Sequence, residues 1–210
     1  MAKWSSRAAA RELAGADPAL ARVIEAVGPP RLRRPLGGPH GHFAALARSI
    51  VFQQLAGAAA ATIWRRVGEA VGEVTPAGVL GVSDDRLRSA GLSRAKLASL
   101  TDLARAVTDG RLDLGHVARQ SDSEIHEALV GVRGIGPWTA DMFLLFQLRR
   151  PDVWPTGDLG VRRGYALVHG LGGDPTPAEL LEWGAPYQPW RSVAAWYMWR
   201  AVDTITPERG

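Results

Sequence analysis

The chain has 210 residues, 46% hydrophobic and 22% charged, enough to bury a core without covalent staples and ordinary for a globular protein. Lysine and arginine number 25 against 21 acids, the formal charge is +4 and the sequence pI is 10.1, a balance that favours an anionic partner without naming it. There is no cysteine, which excludes disulfides, thiolate nucleophiles and cysteine-bound zinc or iron–sulfur clusters, and the histidines (His40, His42, His116, His126, His169) lack ligand spacing, so no metal site built from side chains is expected. The first twenty residues lack a signal-peptide apolar run, and no stretch approaches the roughly 18 apolar residues of a membrane span. The expectation is a cytoplasmic protein with no membrane contact.

Strand signals are scarce, and apolar residues recur at three- and four-residue spacing between Gly and Pro breaks, so the pattern predicts an all-α fold. In chain order, helices are expected over Ala8 to Glu12 and Pro18 to Val27, followed by a Pro/Gly-rich basic loop, Gly28 to Gly41, whose Arg31, Arg33 and Arg34 form either a basic patch or a solvated surface. HFAALARSIVFQQLAG reads as a helix ending near Gly57, and AAAATIWRRVGEAVG as the next. Thr75-Pro76 and Ser83-Asp84 look like starts of short helices, and Ser93 begins a longer one that Asp109-Gly110 ends. Ser121 and Glu124 form a capping box, as do Thr176 and Glu179. The first of these helices runs to Val130, and after Val132-Arg133-Gly134-Ile135-Gly136 a second starts with Pro137 and continues through WTADMFLLFQL. Asp158 opens LGVRRGYALVHG, and the last helix is expected from Trp190 to Val202.

Gly134-Ile135-Gly136 between two helices is the motif that carries chemistry. Glycines allow a tight turn and close backbone approach, and the amides of the hairpin and of the following first turn are expected to point outward unpaired, a site for a phosphate. Ile135 would pack inward and hold the tip. A plain helical hairpin satisfies the same pattern.

The segment LVGVRGIGPWTADMFLLFQLRRPDVWPTGDLGVRRG, with SIVFQQLAGAAAATIWRRV and GLSRAKLASLTDLA before it and PWRSVAAWYMWR after it, resembles the helix-hairpin-helix (HhH-GPD) DNA glycosylase superfamily, in particular its 3-methyladenine DNA glycosylase II branch. The resemblance covers roughly Arg48 to Arg200. It implies one compact domain over residues 1–210 in two helical lobes with a cleft between them. One lobe spans about 48–155 and holds the helix-hairpin-helix; the other joins the N-terminal segment to about 156–210.

The family's carboxylate lies some twenty residues past the hairpin at a helix start, which Asp158 matches, twenty-two positions after Gly136. An N-cap is the other reading of Asp158, and the two roles are compatible. Close relatives often carry a second acid just before it, where this chain has Gly157. The resemblance implies hydrolysis of the N-glycosidic bond of a flipped-out alkylated purine of the 3-methyladenine or 7-methylguanine type in duplex DNA, leaving an abasic site. Trp138, Met142, Trp196 and Trp199 would line the base pocket, or else belong to the core. DNA contacts are expected from Gln53, Gln54 and Leu55 (a wedge, or the packed end of a helix), from Arg133, Gly134, Ile135, Gly136 and Thr139, and from Arg162 and Arg191, where Arg191 contacts phosphate, braces a carboxylate or is a surface residue. Where lyases of the superfamily carry a lysine this chain has Trp138, and its lysines are Lys3 and Lys96, so no strand cleavage is expected. No cofactor is expected beyond a monovalent cation at the hairpin carbonyls. The expected state is a monomer working near the nucleoid. A non-catalytic helix-hairpin-helix DNA-binding or damage-sensing module is the alternative.

Overall fold

The computed structural model describes residues 4–32 and 35–205, so Arg33 and Arg34 of the basic loop lie outside the described residues. Among the described residues there are twelve α-helices and no strand: α1 (Ser6–Ala16), α2 (Pro18–Val27), α3 (Gly38–Phe52), α4 (Gly57–Val71), α5 (Pro76–Leu80), α6 (Asp84–Ser89), α7 (Arg94–Thr108), α8 (Asp122–Val130), α9 (Pro137–Met142), α10 (Leu159–His169), α11 (Pro177–Trp183) and α12 (Arg191–Ile205). None is long and apolar enough to cross a membrane. Ser5, Asp17, Thr75, Ser83, Ser93, Ser121, Asp158 and Thr176 each accept a first-turn amide on a side-chain oxygen, which replaces a hydrogen bond the helix cannot make for itself. Both predicted capping boxes are formed.

Several boundaries differ from the sequence pattern, each for a local reason. Helix α1 starts at Ser6 because Ser5 caps it, and it runs on to Ala16 because Asp17 ends it and caps α2 in turn. Helix α3 stops at Phe52, since Gln53 turns extended and Gln54 takes a φ of 55°. The second hairpin helix does not continue uniformly. After α9 the chain widens over Phe143–Gln147, where the Leu148 amide reaches back five residues to the Phe143 carbonyl at 3.0 Å. The wider turn presents Gln147, 8% exposed, to the Leu36 carbonyl at 2.8 Å and to His42 Nδ1 at 2.9 Å.

The chain forms two compact units, one from Met1–Arg33 with Arg149–Gly210 and one from Arg34–Leu148. The second starts before the expected residue 48, since α3 begins at Gly38, and ends before residue 155, since Arg150, Val153 and Trp154 are bonded within the first unit to Ser192 and Leu180. In the Arg34–Leu148 unit, Ile50 and Val51 of α3, Leu100 and Leu103 of α7, and Leu129 and Ile135 around the hairpin are buried. Gly134 sits at the tip with a φ of +79°, and a Cβ there would overlap Ser99 of α7.

In the other unit, Asp17 joins three elements. Its Oδ1 caps α2 through Ala19 and Leu20 at 2.8 and 3.2 Å, while Oδ2 accepts the Tyr187 hydroxyl at 2.6 Å and meets His169 Nε2 at 3.1 Å. Tyr165 stacks on His169, ring centroids 4.0 Å apart, and Trp183 stacks on Tyr165 at 5.6 Å. Helices α10 and α12 pack along each other. A Cβ at Gly164 of α10 would run into the Met198 backbone of α12.

Burial pushes the His169 imidazole below its ordinary range, against an upward pull from Asp17. The folded state therefore favours the neutral ring, and unfolded chains take up a proton first as the pH falls through about 6.5. Denaturant unfolding at pH 7.5 and pH 5.5 should show a loss of stability on acidification that shrinks in His169→Gln. At the hairpin, Gly134→Ala meets both the positive φ and the Ser99 contact and should lower the unfolding free energy by about 1–3 kcal/mol. Adding Ser99→Gly should recover only the steric part of that loss, read from urea midpoints.

Candidate active site

The residues singled out from the sequence divide between the two units. In the unit that carries α10 and α12, Asp158 is half-buried at the N-cap of α10. The loop before it is held by the start of α12. Ser192, 3% exposed, accepts the Val153 amide at 2.9 Å and donates to the Arg150 carbonyl at 2.6 Å. Arg191 makes a two-pronged ion pair with Asp152 at 2.7 and 2.9 Å, so of its expected roles the structure realises the brace on a carboxylate. The Trp154 indole donates to the Leu180 carbonyl at 2.7 Å. The loop end is thereby fixed on both sides, and Asp158 emerges from it with its own amide on the Pro155 carbonyl at 2.9 Å.

The Asp158 carboxylate is fixed as well. Its Oδ1 accepts the Val161 amide at 2.8 Å and the Trp199 indole N–H at 2.9 Å. The positive end of α10 favours a negative charge at this position. The N-cap reading of Asp158 is thus realised, and an indole from a separate helix shares the same oxygen. Trp199 is half-buried beside it, and Leu159, the next residue in the chain, is 58% exposed. Trp196 packs differently, edge-on to Tyr197 with ring centroids 5.0 Å apart, and the Arg200 guanidinium lies 5.6 Å from its centroid. Arg162 donates from Nε to the Pro175 carbonyl at 2.5 Å, which engages it in holding the loop between α10 and α11. Arg163 is exposed.

In the other unit the hairpin tip is exposed at Arg133, Gly134 and Gly136, and Ile135, 3% exposed, packs inward as its sequence position suggested. Two hairpin amides expected to be unpaired are engaged. The Arg133 amide donates to Asp102 Oδ2 at 2.8 Å and the Ile135 amide to the Val132 carbonyl at 3.1 Å. The Arg133 amide, followed by Arg111 and Arg105, holds the Asp102 carboxyl below the usual carboxylate range. Thr139, expected among the DNA contacts, has a buried side chain. At 5% exposed it belongs to the packed face of α9. Trp138 is 50% exposed on the same turn and Met142 is half-buried.

Gln53, expected beside Gln54 and Leu55 as a wedge, instead donates to the Gly134 carbonyl at 2.9 Å. Gln54 and Leu55 are exposed at the turn. Lys96 Nζ donates to the Val51 carbonyl at 2.6 Å, tying α7 to the end of α3. Asp102 and Ser99 were not singled out from the sequence, and Lys96 was noted only as a lysine outside the motif. Their signal was their place in GLSRAKLASLTDLA, but only the three-dimensional packing shows that this helix supports the hairpin. Gly160 was missed too. A Cβ there would lie 2.8 Å from the Trp199 ring and 3.0 Å from Asp158 Oδ1.

Comparison with known proteins places the chain in a family. The profile described as HhH-GPD superfamily base excision DNA repair protein matches residues 47–184. DNA-3-methyladenine glycosylase 1 of Schizosaccharomyces pombe is 33% identical over 94% of this chain and 89% of its own length. Other curated relatives are longer, and the chain spans about half the length of several of them. Among solved structures, a DNA-3-methyladenine glycosidase from Bacillus halodurans superposes with a TM-score of 0.85 at 34% identity, covering 95% of this chain and 91% of that one. The S. pombe 3-methyladenine DNA glycosylase in complex with abasic DNA gives 0.78 at 32% identity, covering 93% and 96%. On the length of the profile match and the identity over nearly the whole chain, this protein belongs to the HhH-GPD superfamily of base excision DNA repair proteins.

Proposed function

We propose that the protein is a DNA glycosylase that hydrolyses the N-glycosidic bond of alkylated purines, of the 3-methyladenine and 7-methylguanine type, in duplex DNA and leaves an abasic site. The relatives' names support this class of reaction, and the observation that carries it is the carboxylate of Asp158, held by the Val161 amide and the Trp199 indole. Binding DNA alone requires no such fixed carboxylate, which disfavours a purely DNA-binding module.

Base departure with the bonding electron pair leaves positive charge on the deoxyribose, and it neutralises a base that alkylation had made cationic. A carboxylate fixed before that charge appears stabilises it without reorganising. Asp158 also orients the attacking water and takes its proton as the oxygen joins the sugar. An alkylated base needs little acid assistance, and an indole face attracts its charge by about 0.5–2 kcal/mol. Trp199, half-buried beside Asp158, is the residue proposed for that contact, with Trp196 of the same helix as a further candidate. The exposed Gly134 and Gly136 backbone and the Arg133 side chain are proposed to grip a phosphate of the DNA.

With Gln53 holding Gly134, the wedge role falls to Gln54 or Leu55, exposed on a turn that the positive φ of Gln54 projects. A monovalent cation at the hairpin is compatible with the Val132 and Gly134 carbonyls, each of which uses one lone pair on a protein donor and keeps another. Bound there, the cation would supply positive charge toward a phosphate. Hydrolysis without strand cleavage is proposed because the Lys96 amine is engaged by Val51 and Trp138 stands at the lyase position. We take the active form to be a monomer acting on chromosomal DNA in the cytoplasm.

A panel of duplex oligonucleotides, each with one lesion, scored for free-base release tests the proposal. The unaltered protein should release 3-methyladenine and 7-methylguanine. Asp158→Asn should lower the single-turnover rate at least about 100-fold while salt-dependent DNA affinity stays within about two-fold. DNA binding without release of any alkylated base would leave the binding-module reading instead.

A further inference from the structure

Helix α10 carries glycines at positions 160 and 164, four residues apart and therefore on one face. Both are sites where a Cβ would collide with α12. At Gly164 the obstacle is the Met198 backbone, which fixes how close the two helices run. At Gly160 the obstacles are Cδ1 and Nε1 of Trp199, at 2.8 and 3.0 Å, and Oδ1 of Asp158, at 3.0 Å. The absence of a side chain at both positions is what lets an indole lie across the first turn of α10 and donate to the carboxylate that caps the turn. An indole N–H can only donate, and the oxygen it meets already accepts the Val161 amide. Two donors on one oxygen, from the carboxylate's own helix and from a second helix, restrict both torsions of the Asp158 side chain.

We propose that the Trp199 N–H, admitted by Gly160 and Gly164, positions the Asp158 carboxylate for reaction, a role separate from any stacking of the ring on a base. The inference rests on the glycosylase reading of Asp158. It distinguishes two jobs of one side chain: the ring face contributes to substrate affinity, and the N–H contributes to the rate of bond cleavage through Asp158. Hydrogen bonds to charged groups are stronger than neutral ones, so loss of this one should slow cleavage by about 10- to 100-fold.

Site-specific replacement Trp199→3-benzothienylalanine keeps the bicyclic ring and puts sulfur where the N–H was. Affinity for lesion DNA should stay within about two-fold while the single-turnover rate of base release falls by the stated factor. Gly160→Ala, which pushes the indole off the carboxylate, should reproduce the rate loss in a protein whose helical circular dichroism is unchanged. A rate equal to that of the unaltered protein in either variant would overturn the proposal. In 15N-labelled protein the Trp199 indole resonance, assigned by its absence in Trp199→Phe, should move in Asp158→Asn. That readout does not depend on activity. An indole resonance that stays in place removes the bond and with it the proposal, whereas failure of the unaltered protein to release any alkylated base removes the glycosylase reading on which the proposal rests.

Discussion

The contact between Trp199 and Asp158 at the crossing of α10 and α12 is the constraint around which one unit is built. An aspartate at a helix start is common, and its own helix supplies one donor. The second donor comes from thirty-eight residues beyond that partner, Val161, on a helix that can approach only because Gly160 and Gly164 carry no side chains. The same helix α12 anchors the preceding loop through Arg191 and Ser192. A single element therefore fixes the entry to the turn and the orientation of the acid within it. A carboxylate held in this way has little reorganisation left to make when charge appears beside it.

The hairpin follows a related logic with different chemistry. Its tip is exposed at Arg133, Gly134 and Gly136, so it is not stabilised by burying both faces. Ile135 anchors it from beneath, and side chains of neighbouring helices hold its backbone: Asp102 takes the Arg133 amide, Gln53 takes up the Gly134 carbonyl, and Ser99 fills the space that a Cβ at Gly134 would need. Polar side chains bonded to backbone groups stiffen a turn without covering it. Gln53 and Arg191 likewise spend their polar groups on neighbouring loops, Gln53 on the Gly134 carbonyl and Arg191 on Asp152.

How much of this was legible in the sequence depends on the range of the interaction. Caps and capping boxes were legible because donor and acceptor lie within four residues, and Ser121–Glu124 and Thr176–Glu179 form as their spacing requires. The inward-facing Ile135 followed from the need to bury an apolar residue at a tight turn. The widened turn at Phe143–Gln147 was not legible, because an uninterrupted apolar run reads as a uniform helix until the needs of Leu36 and His42 draw Gln147 inward. The burial of Thr139 was not legible for a similar reason: its place in a first turn says nothing of which face of that turn packs.

The helices, the hairpin and the acid that follows it could be read from the amino-acid order, since each is written in residues close together in the chain, and the order of the motifs identified the superfamily. Tertiary structure alone decided which side chains complete those local features. That Arg191 braces Asp152, that Gln53 reaches Gly134 and that Trp199 is the tryptophan on Asp158 all turned on helices distant in sequence. The physical reason is that a hydrogen bond requires a separation set to a few tenths of an ångström. Between distant segments, only the packing of α10 on α12 and of α7 beneath the hairpin sets it.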